Sequence, residues 1–210
     1  MVPSSFSGVV LGSGFLWEQN RIQFPTARIV GVRGRLTAER CGAPPFCILS
    51  DPGLLLGRWA PSDRQIKYSL GVIPHYIDYT SSPVQQLYRR FGDRIAIIDV
   101  RADPVAIVEQ VSKCEVILSS ALHGLVVADA LGIPNRWLVL GDRVLGRGFK
   151  FNDYYSAFGE SREPLMIDGS ESLGILRGAA RLPPSAIPEC IERLDIAFRQ
   201  LGATVAELNR

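Results

Sequence analysis

Glu115-Val-Ile-Leu-Ser-Ser-Ala-Leu-His-Gly-Leu-Val-Val-Ala-Asp-Ala-Leu-Gly-Ile-Pro-Asn-Arg-Trp-Leu-Val-Leu140 is the stretch on which the fold turns. Val116 to Leu118 is a short apolar run, suited to a strand buried on both faces. Ser119 and Ser120 interrupt it and are expected to cap the helix that follows. Leu122, Leu125, Val126, Asp129 and Ala130 recur at helical spacing, Gly132 stands where a helix ends, and Pro134 blocks continuation. Trp137 to Leu140 reads as the next strand. Strand, helix and strand in this order predict a parallel βαβ unit. Its turn sets Ser119, Ser120 and His123 at the carboxyl end of a strand and the amino end of a helix. Unpaired N–H groups and the helix dipole favour an anion there.

Moving outward, strands are expected at Lys67–Ile73 and Arg94–Val100. Helices are expected from Ser82 or Pro83 to Arg90, and from Pro104, capped by Asp103, to Lys113. This alternation predicts an α/β fold with a doubly wound parallel sheet. Upstream, Gly8 to Gly14 reads as a strand entering a Gly-Ser-Gly turn, where a ligand can approach the backbone closely. Arg28–Val32 is a second strand, 35–41 a helix ended by Gly42, and Phe46–Leu49 a third strand closing on Ser50-Asp51-Pro52-Gly53. Gly57 to Arg64 is a composition break and the candidate linker. Downstream comes a glycine-rich basic loop with Arg143, Arg147 and Lys150. A short helix over Asn152–Phe158 and a strand over Glu163–Asp168 follow, while 169–184 gives no clear pattern. From Pro188 to Leu208 an amphipathic helix presents Ile191, Leu194, Ile196, Ala197 and Leu201 on one side. The expected division is a partial N-terminal Rossmann-like half (1–60), a C-terminal Rossmann-like domain (61–184) and a terminal helix (185–210). Val9 already reads as buried strand, so the chain is expected to begin inside a larger domain.

Hydrophobic residues make up 47% of the 210 and charged residues 21%, which excludes wholesale disorder. A net charge of +2 is too small to predict a nucleic-acid partner. The four cysteines (Cys41, Cys47, Cys114, Cys190) are scattered without a C-x-x-C pair, which points to a reduced, cytoplasmic protein and away from zinc. No apolar run approaches the roughly 18–20 residues of a membrane span, and no signal peptide is visible.

Chemistry is expected at one rim of the sheet. His75 and His123, the two histidines, both follow a strand at its carboxyl end. Arg33 and Arg35 follow the second strand at a similar rim, whereas Arg136 opens a strand and faces the opposite one. Arginine grips phosphate or carboxylate through a planar fork. Several cations facing one rim predict a small anionic substrate.

The chain resembles the polysaccharide pyruvyl transferase family. The matching segments are Gly12-Ser13-Gly14, Gly31 to Ala38, Ser50 to Leu55, Ile73 to Tyr76 with Asp78, and Ile117 to Pro134. The run Phe149 to Tyr155 is similar to the branch acting in exopolysaccharide synthesis. The resemblance implies a GT-B-like fold, two Rossmann-like halves around a cleft. It implies transfer of pyruvate from phosphoenolpyruvate onto two hydroxyls of one sugar, as a ketal, on a glycan or lipid-linked oligosaccharide. Such an acceptor would place the protein peripherally at the inner face of a membrane. By the family motif, Leu122 and His123 lie at the donor site and Arg33 binds its phosphate or carboxylate. His123 is expected as general acid and Asp51 or Asp78 as the carboxylate that takes a hydroxyl proton. Gly12, Ser13, Gly14, Ser119, Ser120, His75, Arg143 and Lys150 complete the expected substrate contacts. No cofactor and no metal are expected.

Two departures stand out. Many members carry arginine where this chain has Ala121, so Arg143, Arg147 or Lys150 is expected to compensate. The N-terminal half is short, and an apolar face left on it points to a homodimer. The competing readings are a GT-B-like glycosyltransferase using a nucleotide sugar and a non-catalytic relative that binds a sugar or a partner.

Overall fold

Four two-residue strands begin the chain. β1 (Val9–Val10) pairs in parallel with β2 (Arg28–Ile29), and β3 (Gly31–Val32) with β4 (Ile48–Leu49). The computed structural model describes residues 4–60 and 63–208, except for the side chains of 203–208. Val30 N–H donates to the Val10 carbonyl and Ile48 N–H to the Val30 carbonyl, both at 2.9 Å. Residues 28–33, expected as one strand, are therefore one extended segment between two neighbours, irregular at Val30. α1 (Arg35–Cys41) ends as its sequence predicts, on Gly42 at φ 63°, whose N–H reaches the Ala38 carbonyl. The strand expected from Phe46 starts two residues late. Cys47 N–H folds back onto the Pro44 carbonyl, leaving Phe46 in solvent.

Asp51 then caps a 3₁₀ turn running from Pro52 to Trp59. Residues 57–59 were expected to open a linker. They instead complete this turn, which packs against the helices over 122–130 and 187–208. A Cβ on Gly57 would stand 2.7 Å from the Ala130 carbonyl, so only glycine allows the approach. Residues 61 and 62 of the expected linker lie outside the described residues.

Strands and helices next alternate: β5 (Leu70–Ile73), α2 (Ser82–Phe91), β6 (Ile95–Ile97), α3 (Pro104–Ser112), β7 (Ile117–Ser119), α4 (Leu122–Ala130), β8 (Asn135–Val139), α5 (Phe149–Ser156) and β9 (Leu165–Met166). Their strands form one parallel sheet in the order β6-β5-β7-β8-β9. The chain leaves β5 for β6 on one side, then returns to β7 on the other. The carboxyl ends of β5 and β7 therefore bound the crevice where a doubly wound sheet takes its ligand. The patternless stretch after β9 holds α6 (Leu173–Gly178), capped by Ser172.

α7 (Ile187–Leu208) returns to lie on the 52–59 turn and on β4. Its buried row is Ile187, Cys190, Leu194 and Ala197, a 3- and 4-residue repeat. Ile196, expected on that face, is out of this phase and exposed.

α4, expected from the helical spacing of Leu122, Leu125, Val126, Asp129 and Ala130, is not amphipathic. Eight of its nine residues are buried, and the exception is His123. One side meets Leu54, Tyr154 and Leu194, and the other meets Ile73, Val111 and Ile117. A helix apolar on all sides belongs inside, and each buried leucine contributes about 1.5–3 kcal/mol. It ends on Gly132 (φ 68°), whose N–H bonds to the Asp129 carbonyl while Ile133 N–H reaches the Ala128 carbonyl. These paired bonds close the helix where Gly132 predicted it. No helix among the described residues is long and apolar enough to cross a membrane.

Candidate functional site

The two serines hold the β7–α4 turn together. Ser119 Oγ lies 2.9 Å from the Ile73 carbonyl and 2.8 Å from the Ala121 carbonyl, and accepts from Ala121 N–H. Ser120 Oγ accepts from His75 N–H at 2.8 Å. Both residues are buried, and both tie the end of β7 to the end of β5. The expectation that they cap α4 is corrected by this use of their hydroxyls. The N-cap is Ala121, which offers no side-chain acceptor. The amino end of α4 consequently opens without a capping side chain.

It opens into a cleft of about 1000 Å³. Ala121, Leu122 and His123 line it from the turn, His75 and Tyr76 from the end of β5, Arg33 from the end of β3 and Lys150 from α5. Thus Arg33, His75, Leu122, His123 and Lys150, all expected at the site, meet around one space. The His123 side chain is 81% exposed, and its Nε2 stands 3.9 Å from Asp51 Oδ2. Asp51 is fixed in turn, because its Oδ1 accepts from Gly53 N–H at 2.9 Å.

Arg33 is held from several directions. Nε donates to Asp153 Oδ2 at 2.9 Å, and Nη2 donates to the Phe15 carbonyl. Asp153 also accepts from Thr37 N–H (2.8 Å) and Thr37 Oγ1 (2.7 Å), and Ser156 Oγ accepts from Arg35 N–H (2.9 Å). The amino end of α1, whose own N-cap is Gly34, is thus filled by side chains from α5. A Cβ on Gly34 would collide with the Asp153 carbonyl at 1.7 Å.

Lys150 and His75 each respond to burial and to a neighbouring charge. Burial, and then the Arg33 charge, hold the Lys150 pKa below its usual range. Burial, and then the Lys150 charge, lower that of His75, while Asp78 opposes them. His75 is therefore biased toward its neutral form, and its Nδ1 faces Ile77 N–H at 3.5 Å.

Other expected residues go elsewhere. Gly12, Ser13 and Gly14 do not line the cleft. A Cβ on Gly14 would stand 2.4 Å from Arg33 Cζ, and one on Gly12 (φ 75°) 2.0 Å from Pro52 Cδ. The backbone approach expected for a ligand is taken by Arg33 and Pro52. Arg143 is drawn to Asp78, with Nη2 2.9 Å from Oδ1, and does not line the cleft. Asp78 is fully buried at that contact and is not placed to receive an acceptor proton. The sequence reading missed Asp153, which positions Arg33, and the cleft-lining Trp59 and Glu109. Asp153 and its partner Thr37 both sit inside the segments quoted for the family likeness, which was the available signal. Among the described residues no three His, Cys, Asp or Glu side chains are grouped to hold a metal. The four cysteines are free and buried, and burial pushes the Cys114 thiol up to about 12.

An uncharacterised protein of Acanthamoeba polyphaga mimivirus is 32% identical over 169 residues, covering 76% of this chain and 58% of that protein. The succinoglycan biosynthesis protein ExoV of Rhizobium meliloti (strain 1021) is 24% identical over 186 residues, covering 85% of this chain and 57% of ExoV. The chain thus spans less than three fifths of the length of these curated relatives. No solved structure matches it. The sequence profile of the polysaccharide pyruvyl transferase family matches residues 9–141, from β1 to just past β8. That span takes in Arg33, Asp51, His75 and the whole β7–α4 turn with His123, and the chain belongs to the polysaccharide pyruvyl transferase family.

Proposed function

We propose that this chain serves in the transfer of pyruvate from phosphoenolpyruvate onto two hydroxyls of one sugar, forming a cyclic ketal on an exopolysaccharide or its lipid-linked precursor. The observation that carries the reading is the uncapped amino end of α4. It opens beside an exposed imidazole into a cleft shared with Arg33 and Lys150. Backbone N–H groups, the helix dipole and two cations favour a phosphate-bearing carboxylic acid there. The parallel strands on either side of the cleft fit a GT-B-like arrangement, with residues 1–60 and 61–184 as unequal Rossmann-like halves and α7 returning onto the first.

The proton balance of the reaction suits these groups. Two hydroxyl protons enter. One ends on the methylene carbon, which becomes methyl, and the other leaves on phosphate. No net proton is taken up, so a group that gives and regains one proton suffices. His123 donates to the methylene carbon as the C2–O bond to the first hydroxyl forms. The phosphate departs with the C–O electron pair toward the α4 amides and cations, and the second hydroxyl closes the ring. Asp51 stands beside the imidazole, its Oδ2 3.9 Å from His123 Nε2. The experiment is phosphate release from phosphoenolpyruvate in the presence of candidate glycans, with phosphoenolpyruvate binding followed separately by ³¹P NMR. Binding of phosphoenolpyruvate to the parent chain, with release that falls by roughly 10²–10⁴ in His123→Ala, is the expected result. Turnover of a nucleotide sugar without phosphoenolpyruvate binding would replace this reading with a glycosyl transfer.

A further inference from the structure

Five aromatic side chains are exposed among the described residues: Phe46, Trp59, Tyr76, Tyr88 and Phe198. Two of them, Trp59 (74% exposed) and Tyr76 (58%), line the cleft that holds His123. We propose that Trp59 and Tyr76 are the platform on which the acceptor's pyranose ring stacks, with Glu109 accepting from its hydroxyls. The proposal rests on the pyruvyl-transfer reading for the identity of the acceptor, and it names the residues that select it.

The mounting of both rings supports this role. Trp59 is the last residue of the 3₁₀ turn that starts after Asp51, and that turn is pinned by the fully buried Leu54 against α4 and α7. Tyr76 opens a second 3₁₀ turn, closed by Asp78 N–H on the His75 carbonyl at 2.7 Å. Its ring centroid lies 4.5 Å from that of His75. Each ring is thus carried on the turn that fixes a polar member of the site, Asp51 in one case and His75 in the other. Large aromatic surface left in water on rigid mounts is the arrangement expected of a contact surface.

The remaining lining decides which flat ligand fits. Val105 and Val108 come from α3, and the same helix supplies the sole carboxylate of the lining, Glu109. An acyl chain laid over these residues would bury that carboxylate without a partner, at a cost of several kcal/mol. A pyranose does not, because it presents C–H groups on one face and hydroxyl donors around its edge. A ring stacked here would also share its cleft with the imidazole that faces the donor.

The test titrates methyl β-D-glucopyranoside and methyl β-D-galactopyranoside into the full chain, reading saturation-transfer NMR and tryptophan fluorescence. Inorganic phosphate is titrated in parallel by ³¹P NMR. At least one glycoside is expected to bind and to quench fluorescence. Trp59→Ala and Tyr76→Ala should each weaken it about tenfold, the loss expected for one aromatic contact. Trp59→Phe should retain most of the affinity while abolishing the quench. Phosphate affinity should not change in any of the three, and circular dichroism checks that these exposed substitutions leave the fold intact. The proposal is overturned if neither glycoside binds, if both alanine variants bind as the unaltered chain does, or if the rings instead take uridine diphosphate or a dodecyl chain. The two readings fail separately. Glycoside binding through the rings without phosphoenolpyruvate binding would sink the transfer reaction and keep the platform, and the reverse outcome would sink the platform alone.

Discussion

The amino ends of α1 and α4 are the same device in two states. Each follows a parallel strand, and neither has a side-chain acceptor at its own N-cap. At α1 the protein supplies a carboxylate from elsewhere. Asp153 takes Thr37 N–H, the Thr37 hydroxyl and Arg33 together, and burial makes the arrangement permanent. At α4 no side chain caps the end, the cleft lies in front, and the imidazole beside it is in solvent. At the filled end the occupant is an oxyanion flanked by a guanidinium, and the proposed function asks the open end to take one too.

The substitution with the largest expected effect separates the two ends by function. His123→Ala should leave folding free energy within about 0.5 kcal/mol, because the side chain is exposed. Phosphate release from phosphoenolpyruvate should fall by roughly 10²–10⁴ if the imidazole is the general acid. An unchanged rate would break the comparison. Asp153→Ala acts on the filled end in the opposite sense. It leaves Arg33 buried without its partner and should cost about 3–5 kcal/mol in chemical denaturation. A loss under 1 kcal/mol would show that the ion pair adds little to α1.

A third change would turn the open end into the filled one. Ala121 has the extended backbone of an N-cap, φ −102° and ψ 128°. Ala121→Asp should stabilise the protein by about 1 kcal/mol and raise its melting temperature, as N-caps do. It should also abolish phosphate binding, because the new carboxylate occupies the place of the anion. Stabilisation with phosphate affinity intact would mean that the anion binds elsewhere.

The last comparison concerns the far end of α4, away from the cleft. There Asp129 is buried and accepts from Asn135 Nδ2 (2.6 Å) and the Tyr154 hydroxyl (2.8 Å). Burial raises its pKa to about 6, against the lowering effect of those two bonds. The folded state then holds a proton that the unfolded chain has already lost between the ordinary carboxylate value and about pH 6. That stabilisation is complete at low pH and disappears as pH rises through this window. Its size is on the order of 2–3 kcal/mol at about 1.4 kcal/mol per pH unit of separation. Urea titrations from pH 4 to pH 7 should show the decline in the parent chain and a flatter profile in Asp129→Asn.

The parallel sheet, α1 with its Gly42 stop, α3 with its Asp103 cap and the βαβ unit around His123 were all legible in the sequence. Each is written in neighbouring residues: an apolar run, a capping side chain, a glycine where the backbone turns left-handed. The partner of a charged group is not written locally. Nothing near Arg33 announces Asp153, which lies 120 residues later, or tells that Gly14 exists to make room for the guanidinium. The serines before α4 misled for the same reason. Their type suits a cap, and what they actually bond is set by the neighbouring strand β5. The burial of α4 on all sides was half visible, since its apolar residues outnumber one stripe. That His123 alone escapes could be seen only once α5, α7 and the 52–59 turn were in place.

The packing of α7 on the Pro52–Trp59 turn has a practical consequence. That turn carries Asp51 at one end and Trp59 at the other, so α7 is the backing against which the cleft is set. Loosening α7, for example by shrinking the buried Leu194, is a remote way of shifting Asp51 and tilting the indole. Variation in α7 is therefore a lever on a cleft whose lining includes none of its residues.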